Sequence, residues 1–172
     1  MKKTFSSKRG QTFLDVLVIA VILVVTAIAY VIIAMLQSSI TEQMLSDDTL
    51  SDVSQTSLKN FDSSHISNLD NTFLIVFILF WIFVVVSSLF VDANPIFFVI
   101  SIILLVVVLV IGAIMGNVYS TFAMENDIYT FSSAFSKMGY IMDHLLTFIV
   151  FIAVTALIAM YGKNTFARGG GI

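Results

Sequence analysis

The chain has 172 residues, of which 59% are hydrophobic and 11% are charged, and its formal net charge is −3. A soluble domain is about 45–50% apolar and about 25% charged, so this composition is typical of a membrane protein. The chain contains no cysteine, which excludes disulfides, thiolate nucleophiles and cysteine-ligated zinc or iron–sulfur centres.

Four apolar segments predict four membrane-spanning helices, over residues 12–36, 72–91, 95–118 and 144–161. A helix needs about 20 apolar residues to cross the hydrocarbon core of a bilayer. A helix also pairs its own backbone N–H and C=O groups, for which lipid offers no hydrogen-bond partners. We therefore expect an all-α integral membrane protein with a single membrane domain, residues 1–172.

A short basic head, residues 1–11, precedes the first predicted span. Lys8, Arg9 and Gly10 are followed by an acid, Asp15, and then by the long apolar run. This pattern resembles a type IV prepilin leader, a family in which the chain is cut after the glycine. The resemblance implies cleavage after Gly10 and pairing of the Asp15 carboxylate with the new amine of a neighbouring subunit. The acid of that family is usually Glu, and a pilin has only one span.

Two other interpretations of the N-terminus compete with prepilin processing. Ala27 and Ala29 form the small-x-small pattern that a signal peptidase accepts, which would place cleavage after Ala29. Apolar sequence continues to Leu36, however, and this length favours an uncleaved signal anchor that remains as the first span.

Asp15 is the one acid inside an apolar run. A carboxylate at the centre of a bilayer would indicate an ion or proton path. Asp15 instead follows Thr12 by three residues, the spacing of a capping box in which Thr12 caps the helix and the carboxylate faces its positive end. We expect these two residues to form a helix cap at the membrane interface.

Polar sequence over residues 37–71 predicts an acidic outer loop, in which the first helix extends past Leu36 and irregular chain follows. Only residues 91–95 separate the second and third spans. Because Asn before Pro favours a turn, we expect Asn94 to cap and Pro95 to open the third span, giving a tight antiparallel hairpin.

Residues 119–143 form the second predicted outer loop. Apolar residues recur there at three- and four-residue steps, which predicts an amphipathic helix lying in the membrane interface before the fourth span. The residues of this stripe are Ile128, Phe131, Phe135, Met138, Met142 and Leu145.

Small residues in two spans indicate where helices approach closely. Gly112 and Gly116 form a small-xxx-small pair in the third span, and Ala153 and Ala156 lie on one stripe of the fourth. Lipid provides no hydrophobic drive for helix association, so small residues favour close packing inside the bundle or self-association.

Basic and acidic residues are expected on opposite sides of the predicted membrane domain. Six of the eight basic residues are near the termini, including the flexible tail over residues 162–172, and nine of the eleven acids lie in the two long loops. Basic flanks stay in the cytoplasm, so we expect both termini inside and both acidic loops outside.

The hairpin sequence Asp92-Ala93-Asn94-Pro95 with its following aromatic residues, and the exit Tyr161-Gly162-Lys163, resemble small multi-spanning membrane proteins of tailless icosahedral viruses that carry an internal membrane. The resemblance covers about the last 100 residues. It implies a component of the virion internal membrane that contacts the capsid through its acidic outer loops, and it carries over no enzymatic residues.

The sequence therefore favours a non-enzymatic structural membrane protein. We expect no catalytic, metal or cofactor site, because no such residue constellation is found. The expected partners are the lipid bilayer, other membrane or capsid proteins and a possible second copy, without specific nucleic acid. The alternatives are a holin-like or pore-forming protein and a pilin-like or transport accessory subunit. The localisation is the host inner membrane or the virion internal membrane.

Overall fold

The computed structural model describes the backbone of residues 11–46, 50–90 and 95–169, and side chains over residues 15–46, 50–90 and 99–162. Every regular element in these ranges is an α-helix. The helices are α1 (Gln11–Leu45), α2 (Asp52–Leu89), α3 (Pro95–Ala123), α4 (Asn126–Ser132), α5 (Ser136–Asp143) and α6 (Leu145–Gly169). Four of them, α1, α2, α3 and α6, are long and apolar enough to cross a membrane. The predicted all-α protein with four spans is confirmed.

Helix α1 is the centre of the bundle, because it packs on α2, α3, α4 and α6. Its buried residues recur at three- and four-residue steps, which keeps one face of the helix turned toward its neighbours. Small alanines in this face let the other helices approach closely. The buried residues at these steps are Val16, Ala20, Leu23, Ala27, Val31 and Ala34.

Helices α2 and α3 follow each other in the chain but do not form a closely packed pair along their described lengths. Each packs on α1 and on α6, and α1 also contacts α6, so α2 and α3 lie at opposite corners of the bundle. The chain between Leu89 and Pro95 is short, as predicted for a hairpin, and α3 begins at Pro95. Asn94 lies outside the described residues. The predicted pairing of the two spans is replaced by packing of both against the small-residue faces of α1 and α6.

The predicted irregular loop within residues 37–71 is wrong for most of its length. Helix α1 extends past Leu36 to Leu45, as predicted, but the chain expected to be irregular after it is helical again from Asp52, the start of α2. The Ser51 hydroxyl accepts a hydrogen bond from the Ser54 N–H, which caps the start of α2. Ser38 Oγ, on α1, donates to both carboxylate oxygens of Asp62, on α2, at 3.3 and 3.1 Å. We call residues 37–46 and 50–71 the α1–α2 arm.

The predicted amphipathic helix before the fourth span is divided into α4 and α5, which meet at residues 133–135. Four residues of its apolar stripe, Phe135, Met138, Met142 and Leu145, are buried in the core of the bundle. The apolar face therefore packs on protein. Residues 124–144, the α4–α5 segment, and the α1–α2 arm form one end of the bundle, which we call the loop side.

Candidate functional site

The loop side contains a buried carboxylate that joins two distant parts of the chain. Asp70, on α2, is only 5% exposed. Its oxygens accept hydrogen bonds from the backbone N–H groups of Lys137 at 3.1 Å and Met138 at 2.8 Å. The first N–H groups of a helix lack partners within the helix, and they form the positive end of its dipole. Asp70 therefore caps α5 from another helix, while the preceding residue, Phe135, makes no side-chain cap.

A second contact beside this cap involves the side chain of Lys137. Its Nζ donates a hydrogen bond to Oδ1 of Asn71, the residue after Asp70. The partner is a neutral amide, so this contact leaves the ammonium charge uncompensated. The start of α5 is thus attached to α2 through both backbone and side chain.

The α4 helix is fastened to the end of α3 by a buried serine. Ser132 Oγ donates to the carbonyl oxygen of Ala123 at 2.8 Å and also lies 3.1 Å from the carbonyl oxygen of Tyr129. The last carbonyls of a helix have no intrahelical partner, so a hydroxyl that reaches one of them satisfies a group that would otherwise need water. This bond turns the chain back from α3 onto the bundle.

Deeper in the bundle, one hydrogen bond joins α2 to α6. Trp81 Nε1 donates to Thr155 Oγ1 at 3.1 Å, and the Trp81 ring lies 5.2 Å from the ring of Phe151, centroid to centroid. Thr155 also bonds the carbonyl oxygens of Phe151 and Ile152 in its own helix. Trp81, within the apolar part of α2, thus has a polar partner on α6.

An apolar groove of about 540 Å³ lies between α2 and α6, with α5 above it. Leu74, Ile78 and Trp81 line its α2 wall, and Phe148 and Phe151 line its α6 wall. Ile78 is 40% exposed and Phe151 is 50% exposed, so the groove opens on the lipid-facing surface.

The polar end of this groove lies beneath the start of α5. Ser136 and Lys137 belong to its lining, as do Tyr140 and Ile141. Lys137 is exposed and contacts Asn71, just before the apolar part of α2 begins at Phe73. The groove is thus charged at one end and apolar along the rest of its length.

The structure separates the two glycines of the predicted packing pair. Gly112 is buried, and a methyl group added to its Cα would overlap Ile149 Cδ1 on α6. Gly116 has open space at the corresponding position. Only Gly112 therefore marks a close approach of α3 and α6. Gly116 is half-buried and makes no such contact.

Two predicted packing residues of α6, Ala153 and Ala156, are buried at 0% and 2% exposure. The predicted N-terminal cap is a different case. Gln11 is already helical, one residue before the predicted start, and the side chain of Thr12 lies outside those that the structure describes. Asp15 is half-buried near the beginning of α1. The cap by Thr12 and Asp15 stays a prediction.

Asp70 is not among the site residues predicted from the sequence. Its hydrogen-bond partners lie 67 and 68 residues further along the chain, so no local motif contains them. The available signal is an acid three residues before Phe73, which begins the apolar run. Acids are common at the ends of spans, and this signal alone does not distinguish a buried cap from a solvated residue.

Within the part of the chain that the structure describes, no group of three or more His, Cys, Asp or Glu side chains could hold a metal ion. The fold and these contacts define an integral membrane protein with four apolar helices and a folded loop side. Comparisons with protein-family models, with curated proteins and with solved structures found no match.

Proposed function

We propose that this protein is a structural, non-enzymatic membrane component that acts by insertion, helix packing and contacts made by its loop side. The observation that carries this proposal is that polar side chains in its interior form hydrogen bonds between helices. Asp70 bonds α5, Ser132 bonds the end of α3, and Trp81 bonds Thr155. Groups engaged in this way hold elements of the bundle together, which supports a scaffold role.

The surface of the loop side supports contacts with a partner that carries basic and apolar groups. Its exposed acids include Glu42, Asp52, Glu125, Asp127 and Asp143. Large apolar side chains are exposed among them, with Val53 at 76%, Phe61 at 61% and Met124 at 70%. A mixed acidic and apolar surface can steer a basic partner by charge and bind it by apolar contact.

A more specific form of the proposal places the chain in the internal membrane of a virion. The loop side would then face a capsid protein, and the basic termini would face the genome compartment. The charge layout supports this arrangement, since four spans would bring both basic ends of the sequence to the side opposite the acidic loops. A double jelly-roll capsid gene and a packaging ATPase gene beside this gene would support this proposal, whereas pilus or transport genes would contradict it.

Labelling of introduced cysteines tests the orientation on which these proposals depend. The chain has no native cysteine, so single cysteines at Ser6, Ser57, Ser133 and Thr165 give unambiguous positions. Ser57 and Ser133 are exposed on the loop side. An impermeant thiol reagent added to intact cells should label Ser57→Cys and Ser133→Cys but not Ser6→Cys or Thr165→Cys. The opposite pattern would contradict the N-in, C-in orientation.

Flux through liposomes separates the structural function from the pore-forming alternative. The purified chain is reconstituted into vesicles loaded with a small fluorescent dye or a pH indicator. A structural component should leave release and proton flux at the rate of protein-free vesicles. Release that rises with the amount of protein would contradict the proposal and favour a holin-like or transport function.

A further inference from the structure

We propose that the groove between α2 and α6 binds one acyl chain of an anionic phospholipid, with the headgroup phosphate held by Lys137. This inference goes beyond the structural function and does not depend on it. The occupant is identified by the chemistry of the groove, which has apolar walls and one cation at one end.

The walls of the groove are apolar and long enough for part of an acyl chain. Leu74, Ile78 and Trp81 of α2 face Phe148 and Phe151 of α6 across the groove, whose volume is about 540 Å³. Ligand pockets have volumes of about 300–1,000 Å³. Leu74 to Trp81 spans seven residues, or about 10 Å of helix at about 1.5 Å per residue. The groove therefore accommodates the upper part of one acyl chain, about a third of the roughly 30 Å hydrocarbon core.

The positive charge lies at the polar end of the groove. Lys137 lies at the groove end nearest Asn71, where the polar sequence of α2 gives way to apolar sequence at Phe73. A phosphate lies at the same boundary between polar and apolar regions in a bilayer. The Lys137 ammonium has a neutral hydrogen-bond partner, so its charge is available to an anion.

Two acids on or beside α5, Asp70 and Asp143, leave the Lys137 charge available to a phosphate. The Asp70 carboxylate is buried and accepts the N–H groups of Lys137 and Met138, so its charge is compensated by the start of α5. Asp143 lies at the far end of α5 and does not line the groove. The headgroup end of the groove is thus formed by Lys137 and Ser136.

The chain itself supplies the reporter for a test, because Trp81 is its only tryptophan and lines the groove. The full chain is reconstituted in phosphatidylcholine vesicles that contain either brominated phosphatidylglycerol or brominated phosphatidylcholine. Bromine on the upper acyl chain quenches tryptophan on contact. We expect half-maximal quenching of Trp81 at an about fivefold lower mole fraction of the anionic lipid, as expected for one lysine near an anionic headgroup.

Two pairs of variants assign this preference to the groove. Lys137→Gln should reduce the fivefold preference to nearly one, while Lys59→Gln, at an exposed lysine on the α1–α2 arm, should leave it unchanged. Ile78→Phe should reduce quenching by filling the groove, whereas Leu79→Phe, at an adjacent residue outside the lining, should not. Circular dichroism melting verifies that each variant is folded.

Equal quenching by the two lipids in the unmodified chain would overturn the proposal, as would a preference that persists in Lys137→Gln. If Ile78→Phe does not fold, the pair of lysine variants decides the question. A failure of this test leaves the flux and labelling results unaffected, so it can be distinguished from a failure of the structural function.

Discussion

The two parts of the loop side are stabilised by different kinds of contact. The α1–α2 arm extends two spanning helices beyond their apolar parts, and the hydrogen bond that joins its own two helices, from Ser38 to Asp62, is only partly buried. The α4–α5 segment folds back onto the bundle, buries Phe135 and is held at the start of α5 by Asp70, which lies at the base of the arm. The arm is stabilised chiefly by continuity with its spans, whereas the segment depends on contacts distant in sequence.

The same substitution in the two regions should therefore have very different effects. Phe135→Ala should lower the free energy of unfolding by about 3 kcal/mol, because Phe135 is 1% exposed and its removal leaves a cavity. Phe61→Ala, on the arm, should change it by less than about 0.5 kcal/mol, since Phe61 is 61% exposed. Unfolding by sodium dodecyl sulfate in mild detergent measures both. Equal losses would show that the α4–α5 segment is not packed as described.

The carboxylates give the next largest contrast. Asp70→Ala should lower the free energy of unfolding by about 2 kcal/mol, because it leaves two backbone N–H groups at the start of α5 without an acceptor. Asp62→Ala should cost less than about 1 kcal/mol, because solvent can replace its partly buried bond to Ser38. Hydrogen exchange of residues 137–143 should accelerate in Asp70→Ala only. Unchanged protection of α5 in that variant would contradict the cap.

The serines provide a smaller contrast. Ser132→Ala should lower the free energy of unfolding by about 1 kcal/mol, since it removes the bond to the carbonyl oxygen of Ala123. Ser38→Ala should lower it by about 0.5 kcal/mol. Cleavage by an added protease between α3 and α4 should be faster in Ser132→Ala than in the unmodified chain. Faster cleavage in Ser38→Ala but not in Ser132→Ala would contradict the conclusion that Ser132 makes the stronger contact.

A stabilising change gives the smallest expected effect. Gly139 lies inside α5 at a position where an added Cβ meets no atom within 4 Å. Gly139→Ala should therefore raise the stability of the α4–α5 segment by about 0.5–1 kcal/mol, because alanine has less backbone freedom to lose than glycine. Slower hydrogen exchange in α5 would support this expectation. The matched change Gly162→Ala, at another glycine with open space, should leave α5 exchange unchanged.

Three features of the fold could not be predicted in full from the sequence: the helices of the arm, the different roles of the two glycines in α3, and what covers the apolar stripe before α6. The extension of α1 past Leu36 was predicted, but the alternation of polar and apolar residues after it is irregular, so the helix that begins at Asp52 could not be inferred from periodicity, and it forms as an extension of α2. Gly112 and Gly116 are equivalent as a sequence motif, and only the position of Ile149 distinguishes them. The stripe from Ile128 to Leu145 predicts an apolar face but does not tell whether lipid or protein covers it.

The sequence by itself determined the membrane class, the number of spans and the apolar face of the second loop, because length and hydropathy alone decide whether a helix enters lipid. Only the tertiary structure decided that α2 and α3 lie apart, that Asp70 caps α5 and that an apolar groove opens beside Lys137. In lipid, helices pair through local shape and single hydrogen bonds. Those features depend on residues far apart in the chain and leave no periodic signal.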